Sequence, residues 1–200
     1  MRYLVLLIVV SSCSWFSPKD QTNELFFQKS KVSQVEMLEQ TLNAKVEFYK
    51  GSVDQRFCPD EIDCSGLKDY LFSYRESEEL PLMARYYFDL DSVVQFIHYE
   101  WSIDVPNQSP AERELVMDRE MGKFQKYINK LNFVAEEISK THGKPIFKDG
   151  GMQTKGLSIM PYQTYLIKFK NSSQVVEFRL MKSNRSEARF YKLLAKVYWL

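Results

Sequence analysis

Histidine is nearly absent from this chain. Two histidines, His98 and His142, serve 200 residues, and no His-Glu-x-x-His pair is present. That is a thin supply for metal binding or acid–base work. Glycine is sparse too, with 7 in all; Gly150-Gly151 and Gly156 have the wrong spacing for a phosphate loop, and no Lys-Ser/Thr follows them. Charge of one sign is not in excess: 27 Lys and Arg face 26 Asp and Glu, and without the first twelve residues only Arg2 is lost, leaving 26 against 26. A balanced chain without a clustered basic face excludes nucleic acid as a favoured partner. Beyond residue 10 no apolar run approaches the ~20 residues of a spanning helix. Nothing here implies a cofactor or a metal.

The N-terminus carries the clearest signal. Met1-Arg2 gives one positive charge, Tyr3 to Val10 is unbroken apolar sequence, and Val10-Ser11-Ser12-Cys13 follows. Charge, short apolar core and small residues are the order of a secretory signal. The last four residues resemble a bacterial lipobox. That resemblance implies cleavage before Cys13, a thioether-linked diacylglycerol on Cys13 and attachment to a membrane. Ser14, where many inner-membrane lipoproteins have aspartate, implies the outer membrane by the same resemblance. A plain signal cut elsewhere, or a buried first strand, are the other readings. The expected layout is a signal peptide over 1–12, a lipid-anchored tether over 13–22, polar and proline-containing, and one α+β domain over 23–200.

Cys58 and Cys64 bracket Pro-Asp-Glu-Ile-Asp. Export to an oxidising compartment favours a disulfide between them. A redox motif would have two intervening residues rather than five, and a zinc site would need two further ligands where only His98 and His142 exist. The acidic loop Asp60, Glu61 and Asp63 lacks the oxygen density of a calcium site and reads as solvated.

Periodicity gives the architecture. Ser33 with Glu36 forms a candidate capping box, Val32 with Met37 a staple, Val35, Leu38 and Leu42 one helical face, and Asn43 a left-handed stop. Lys45 to Tyr49 is a short extended segment, and Asp69 to Tyr74 a strand. Met83 to Asp89 and Val93 to Trp101 make a hairpin turning at Asp89–Ser92. Ser109-Pro110-Ala111-Glu112 starts a long amphipathic helix with Met117, Met121, Phe124, Ile128, Leu131, Val134 (or Ala135) and Ile138 on its stripe; Gly143 and Pro145 end it. Thr164 to Lys170 and Val175 to Met181 alternate as strands around the turn Asn171–Gln174. The tail from Ala188 to Trp199 fits strand or helix, and its aromatic, β-branched ending favours strand. The expected fold is α+β, antiparallel sheet packed on a long amphipathic helix, in the order helix-βββ-helix-βββ. Halves 23–105 and 106–200 are candidates for a tandem duplication. Lys45, Phe48 and Gly51 map onto Lys144, Phe147 and Gly150 at an offset of 99, and Trp101 and Trp199 lie 98 apart. Leu38 and Leu42, however, map onto Glu137 and Thr141.

With Thr141-His142-Gly143-Lys144-Pro145 after the helix, the hairpin Tyr86 to Trp101 and the lipobox at Cys13, the chain resembles small envelope lipoproteins of the SmpA/OmlA type. Two such units in tandem resemble the β-lactamase-inhibitor protein. The first half departs from the pattern, with Asn43-Ala44-Lys45-Val46 after its helix. The resemblance implies a non-catalytic protein-binding or assembly role at the envelope, without a cofactor. The alternative is a periplasmic carrier or receptor for an apolar ligand held between helix and sheet. Tyr86, Phe88, Phe96 and Tyr99 fall on more than one strand face and are the candidate partner surface; a second covering layer is the other way to account for them. No catalytic residues are assigned. His98 reads as a strand histidine, and His142 as a cation at a helix C-terminus.

Overall fold

Alternation of β-branched and aromatic residues with polar ones organises most of this chain, and the computed structural model places that pattern in a single sheet. The structure describes residues 25, 27–54, 58–77, 80–102, 109, 111–112, 115, 124–153, 162–185 and 188–200. Helix α1 (Val32–Thr41) precedes strands β1 (Lys45–Lys50), β2 (Asp69–Arg75), β3 (Leu82–Phe88) and β4 (Val94–Trp101). Helix α2 (Phe124–His142) precedes β5 (Phe147–Gln153), β6 (Tyr162–Lys170), β7 (Gln174–Arg185) and β8 (Ala188–Trp199). All pairings are antiparallel, in the order β1-β2-β3-β4-β8-β7-β6-β5.

Four strands therefore follow each described helix, where three were expected. The additional strand of the second half is β5, an edge strand whose Gly150-Gly151 hides it from any propensity reading. The tail 188–199 is strand throughout. Its odd residues Leu193, Ala195 and Val197 are buried, and pairing with both β4 and β7 decides between the two periods it carries.

Because side chains alternate, paired residues share a face. Leu71, Ala84, Tyr86, Ile97, Tyr99, Trp101, Leu193, Ala195, Val197, Phe178, Leu180 and Phe169 form one face, buried under the helices. Helix α1 lies on β1 and β2, and α2 on β6, β7 and β8. Tyr127, Leu131, Val134, Ala135 and Ile138 are the buried stripe of α2, with Phe124 and Ile128 packed at its margin. Each large side chain so removed from water contributes on the order of 2 kcal/mol.

Helix ends follow from local chemistry. Asn43 takes φ 57 after α1, and the Ala44 amide reaches the Glu39 carbonyl at 3.0 Å, closing the helix as a left-handed stop. Gly143 does the same after α2 with φ 76. The α1 start differs from expectation: Lys31, not Ser33, is the N-cap, and its amide donates to Gln34 Oε1 at 3.1 Å. Met37 is exposed and staples nothing. The box at Ser109 is formed, since the Ser109 amide donates to Glu112 Oε2 at 2.9 Å and the Glu112 amide to Ser109 Oγ at 3.3 Å. Met117 and Met121 lie outside the described residues, so the helical stripe is followed from Phe124 onward.

The unexpected member of the core is Glu39. It occupies the buried face of α1 with Val32 and Val35 and is fully inaccessible. Its carboxylate accepts from Ser73 Oγ at 2.6 Å, from Arg75 Nε at 2.7 Å and Nη2 at 2.5 Å, and from the Tyr86 hydroxyl. The bidentate pair holds Arg75 charged: burial works against the guanidinium, and the Glu39 carboxylate overcomes it to raise the pKa. Glu39 thus pins α1 to β2 and β3. Glu39→Gln leaves a buried guanidinium without its counter-charge, and urea unfolding should register a loss of about 3–5 kcal/mol. Replacing both partners with Glu39→Leu and Arg75→Met should recover most of it.

Candidate functional site

The sheet face opposite the helices is divided crosswise. One transverse row is aromatic: Tyr49, Tyr70, Tyr87, Phe96 and Tyr198 are successive cross-strand partners on β1, β2, β3, β4 and β8. Adjacent rings lie 5.5, 5.1 and 5.6 Å apart from Tyr49 through to Phe96. A loop between β1 and β2, closed by the Cys58–Cys64 disulfide, lies over the inner end of this row. Val53, Cys64 and Leu67 pack with Tyr87, Phe96, Val175 and Tyr198. Glu61 fastens the loop to the sheet, accepting from Lys168 Nζ and from the Tyr198 hydroxyl at 2.9 Å. Burial works to raise the Glu61 pKa, and these two donors bring it below the usual carboxylate value.

The next row is ionic. Glu47, Phe72, Arg85, His98, Lys196, Glu177 and Lys168 are successive cross-strand partners over seven strands. One step further along the strands lie Glu100 and Arg179, and beyond them Lys192. Glu100 accepts from Lys192 Nζ at 2.7 Å and from Ser102 Oγ at 3.1 Å, with Arg85 at 3.9 Å. Burial raises the Glu100 pKa, and Lys192, His98 and Arg85 outweigh it. Glu177 pairs with Arg179 at 3.2 Å. His98 is buried, and burial, aided by Arg85, Lys196 and Lys192 against the pull of Glu100, brings its pKa down to about 4. It is therefore neutral at physiological pH. Burial also lowers the Lys196 pKa, against the influence of Glu177, Asp60 and Glu61.

A cleft of about 560 Å³ opens where the stapled loop meets the β3–β4 turn, among Asp63, Leu67, Asp89, Asp91, Gln95 and Trp199. Two of its carboxylates are engaged in turns. Asp89 accepts from the Asp91 and Val93 amides at 3.0 Å and from Gln95 Nε2 at 2.6 Å, and Asp63 accepts from Ser65.

The proposed aromatic partner surface needs correction. Tyr86 and Tyr99 are fully buried beneath the helices, Phe96 is fully buried beneath the stapled loop, and Phe88 is half-buried against the core. The second covering layer that accounts for this is the loop itself. Cys58 and Cys64 are joined as expected. Cys13 lies outside the described residues. His142 ends α2, and its Nε2 meets Gln174 Oε1 at 2.8 Å while Gln174 Nε2 donates to the Phe27 carbonyl at 2.7 Å. That chain ties the helix end to β7 and to the N-terminal approach.

Sequence reasoning passed over Arg85, Lys192 and Lys196. The signal was present in β8, where Lys192, Leu194, Lys196 and Tyr198 alternate with the apolar set that identified the strand. Among the described residues, no three His, Cys, Asp or Glu side chains converge as a metal set, and no helix is long and apolar enough to cross a membrane. No protein-family model, curated protein or solved structure matches the chain.

Two predictions follow from this geometry. Folded His98 refuses a proton that the unfolded chain accepts below pH 6.5, so its contribution to stability is complete above 6.5 and is lost as pH falls toward 4. Urea unfolding should lose about 1–3 kcal/mol over that window, and His98→Leu should flatten the slope. Cys58→Ser with Cys64→Ser should cost about 2 kcal/mol, as a loop this short implies. It should also expose the inner aromatic row to quenchers of tyrosine fluorescence.

Proposed function

We propose that the protein is an exported lipoprotein of the bacterial envelope, anchored through Cys13, and that it binds a protein partner without catalysing a reaction. The observation that carries this reading is the charged sheet face opposite the two described helices, beside a loop that a disulfide closes. A disulfide of this kind persists in an oxidising compartment. The N-terminal charge, apolar run and Val10-Ser11-Ser12-Cys13 supply the address.

The carrier alternative would need room between helices and sheet, where Trp101, Tyr86, Tyr99, Tyr127, Phe169 and Phe178 are packed. An enzyme would need a cleft at which perturbed groups meet. The perturbed groups here, His98, Glu100 and Lys196, are spread along two neighbouring strands and are accounted for by burial and ion pairing.

We also infer that the two halves descend from a duplication. Each described helix precedes a four-stranded meander, and the meanders meet at β4 and β8. Superposing Trp101 on Trp199 places His98 on Lys196, and these two residues are partners in the central ladder.

Cross-linking in intact cells, with mass spectrometry, tests the function. Wild type should capture an envelope protein that Cys13→Ala, released from the membrane, captures weakly. Equal fractionation of wild type and Cys13→Ala would remove the lipoprotein premise. An apolar molecule co-purifying in place of a protein would favour the carrier.

A further inference from the structure

The ionic row contains two cations whose donors are not taken up by carboxylates. Lys192 is bonded to Glu100, Arg179 to Glu177 and Lys168 to Glu61, so each of these three has a carboxylate partner. Arg85 and Lys196 differ. Arg85 has only the 3.9 Å approach to Glu100 and otherwise lies over the Phe72 ring at 5.8 Å. Among the described residues it makes no hydrogen bond. Lys196 has no carboxylate within 4.0 Å among the described residues; Glu177, across from it, bonds Arg179, and Asp60 and Glu61 act on it only from farther away. The two cations flank neutral His98 in one row, on β3 and β8. Two strand spacings separate them, roughly 10 Å. Both are partly shielded from water, which strengthens attraction for an anion.

We propose that Arg85 and Lys196 form a two-point receptor for carboxylates of an acidic protein segment, laid across β3, β4 and β8. The proposal names the partner chemistry of the surface proposed above and rests on that reading. Charge complementarity selects the occupant. Two partly exposed cations in one cross-strand row engage two acidic side chains of one chain, with Arg85 offering a planar fork suited to bidentate carboxylate capture. The bonded carboxylates, Glu177 beside Lys196 in the row and Glu100 one step along the strands, reject misplaced acidic groups.

The test uses the purified full chain and a fluorescein-labelled ten-residue peptide of alternating Glu and Ser, with a Gln-Ser peptide as reference. The acidic peptide should bind at least tenfold tighter than the reference and weaken as salt rises. Arg85→Gln and Lys196→Gln should each weaken it about tenfold, while Lys144→Gln, beyond the end of α2, should leave it unchanged. Unfolding curves establish that the variants are folded. Equal binding of both peptides, or wild-type binding by both face variants, overturns the proposal. Failure of the peptide combined with variant-sensitive binding to vesicles of anionic lipid also overturns it, in favour of phosphate headgroups. Peptide binding that survives a failure to capture any envelope protein in cells would sustain the receptor while removing the envelope role.

Discussion

The ladder between β4 and β8 is the constraint on which the rest depends. These are the last strands of their respective meanders, and pairing them closes a separation of about a hundred residues before any reward from packing. Six consecutive pairs, from Phe96↔Tyr198 to Trp101↔Leu193, then make both strands central. Their odd residues, Ile97, Tyr99, Trp101, Leu193, Ala195 and Val197, become the middle of one apolar face that a single helix could not cover. The two described helices divide the task, α1 over the first meander and α2 over the second. The register also fixes the opposite face. Once Tyr99 and Ala195 point toward the helices, His98 and Lys196 must point away.

That opposite face is treated in two ways. At one end, aromatic residues continue across five strands, and a loop covers the inner ones, Tyr87, Phe96 and Tyr198, while Tyr49 stays exposed. The covalent closure at Cys58–Cys64 and the reach of Glu61 to β6 and β8 hold the loop in place. At the other end, charged residues take the alternate positions. Buried Glu100 keeps its charge through Lys192, and Glu177 pairs with Arg179 two residues along its own strand. The helical side solves a similar problem differently, since Glu39 is wholly enclosed and depends on Arg75, Ser73 and Tyr86.

Local signals in the sequence located much of this framework. The hairpin around Asp89–Ser92, the turn at Asn171–Gln174, the stops at Asn43 and Gly143, the box at Ser109–Glu112 and the Cys58–Cys64 pair are all decided within a few residues. What the sequence concealed was non-local. β5 has glycines where a strand pattern should be, and only β6 gives it its pairing. Glu39 looks like a solvent residue of α1 until Arg75 arrives from another strand. Tyr86, Phe96 and Tyr99 looked divisible between core and surface because their covering layers, two helices and a stapled loop, come from distant segments. Lys196 gains meaning only opposite His98.

Amine labelling read residue by residue would test the central claim, that the charged face is where a partner sits. Lys192 and Lys196 should react with an amine-specific reagent in the purified protein and be protected in intact envelopes. Lys144, away from that face, should react equally in both. Equal labelling of Lys192 and Lys196 in the two settings would contradict the account, because the face would then be bare where the protein works.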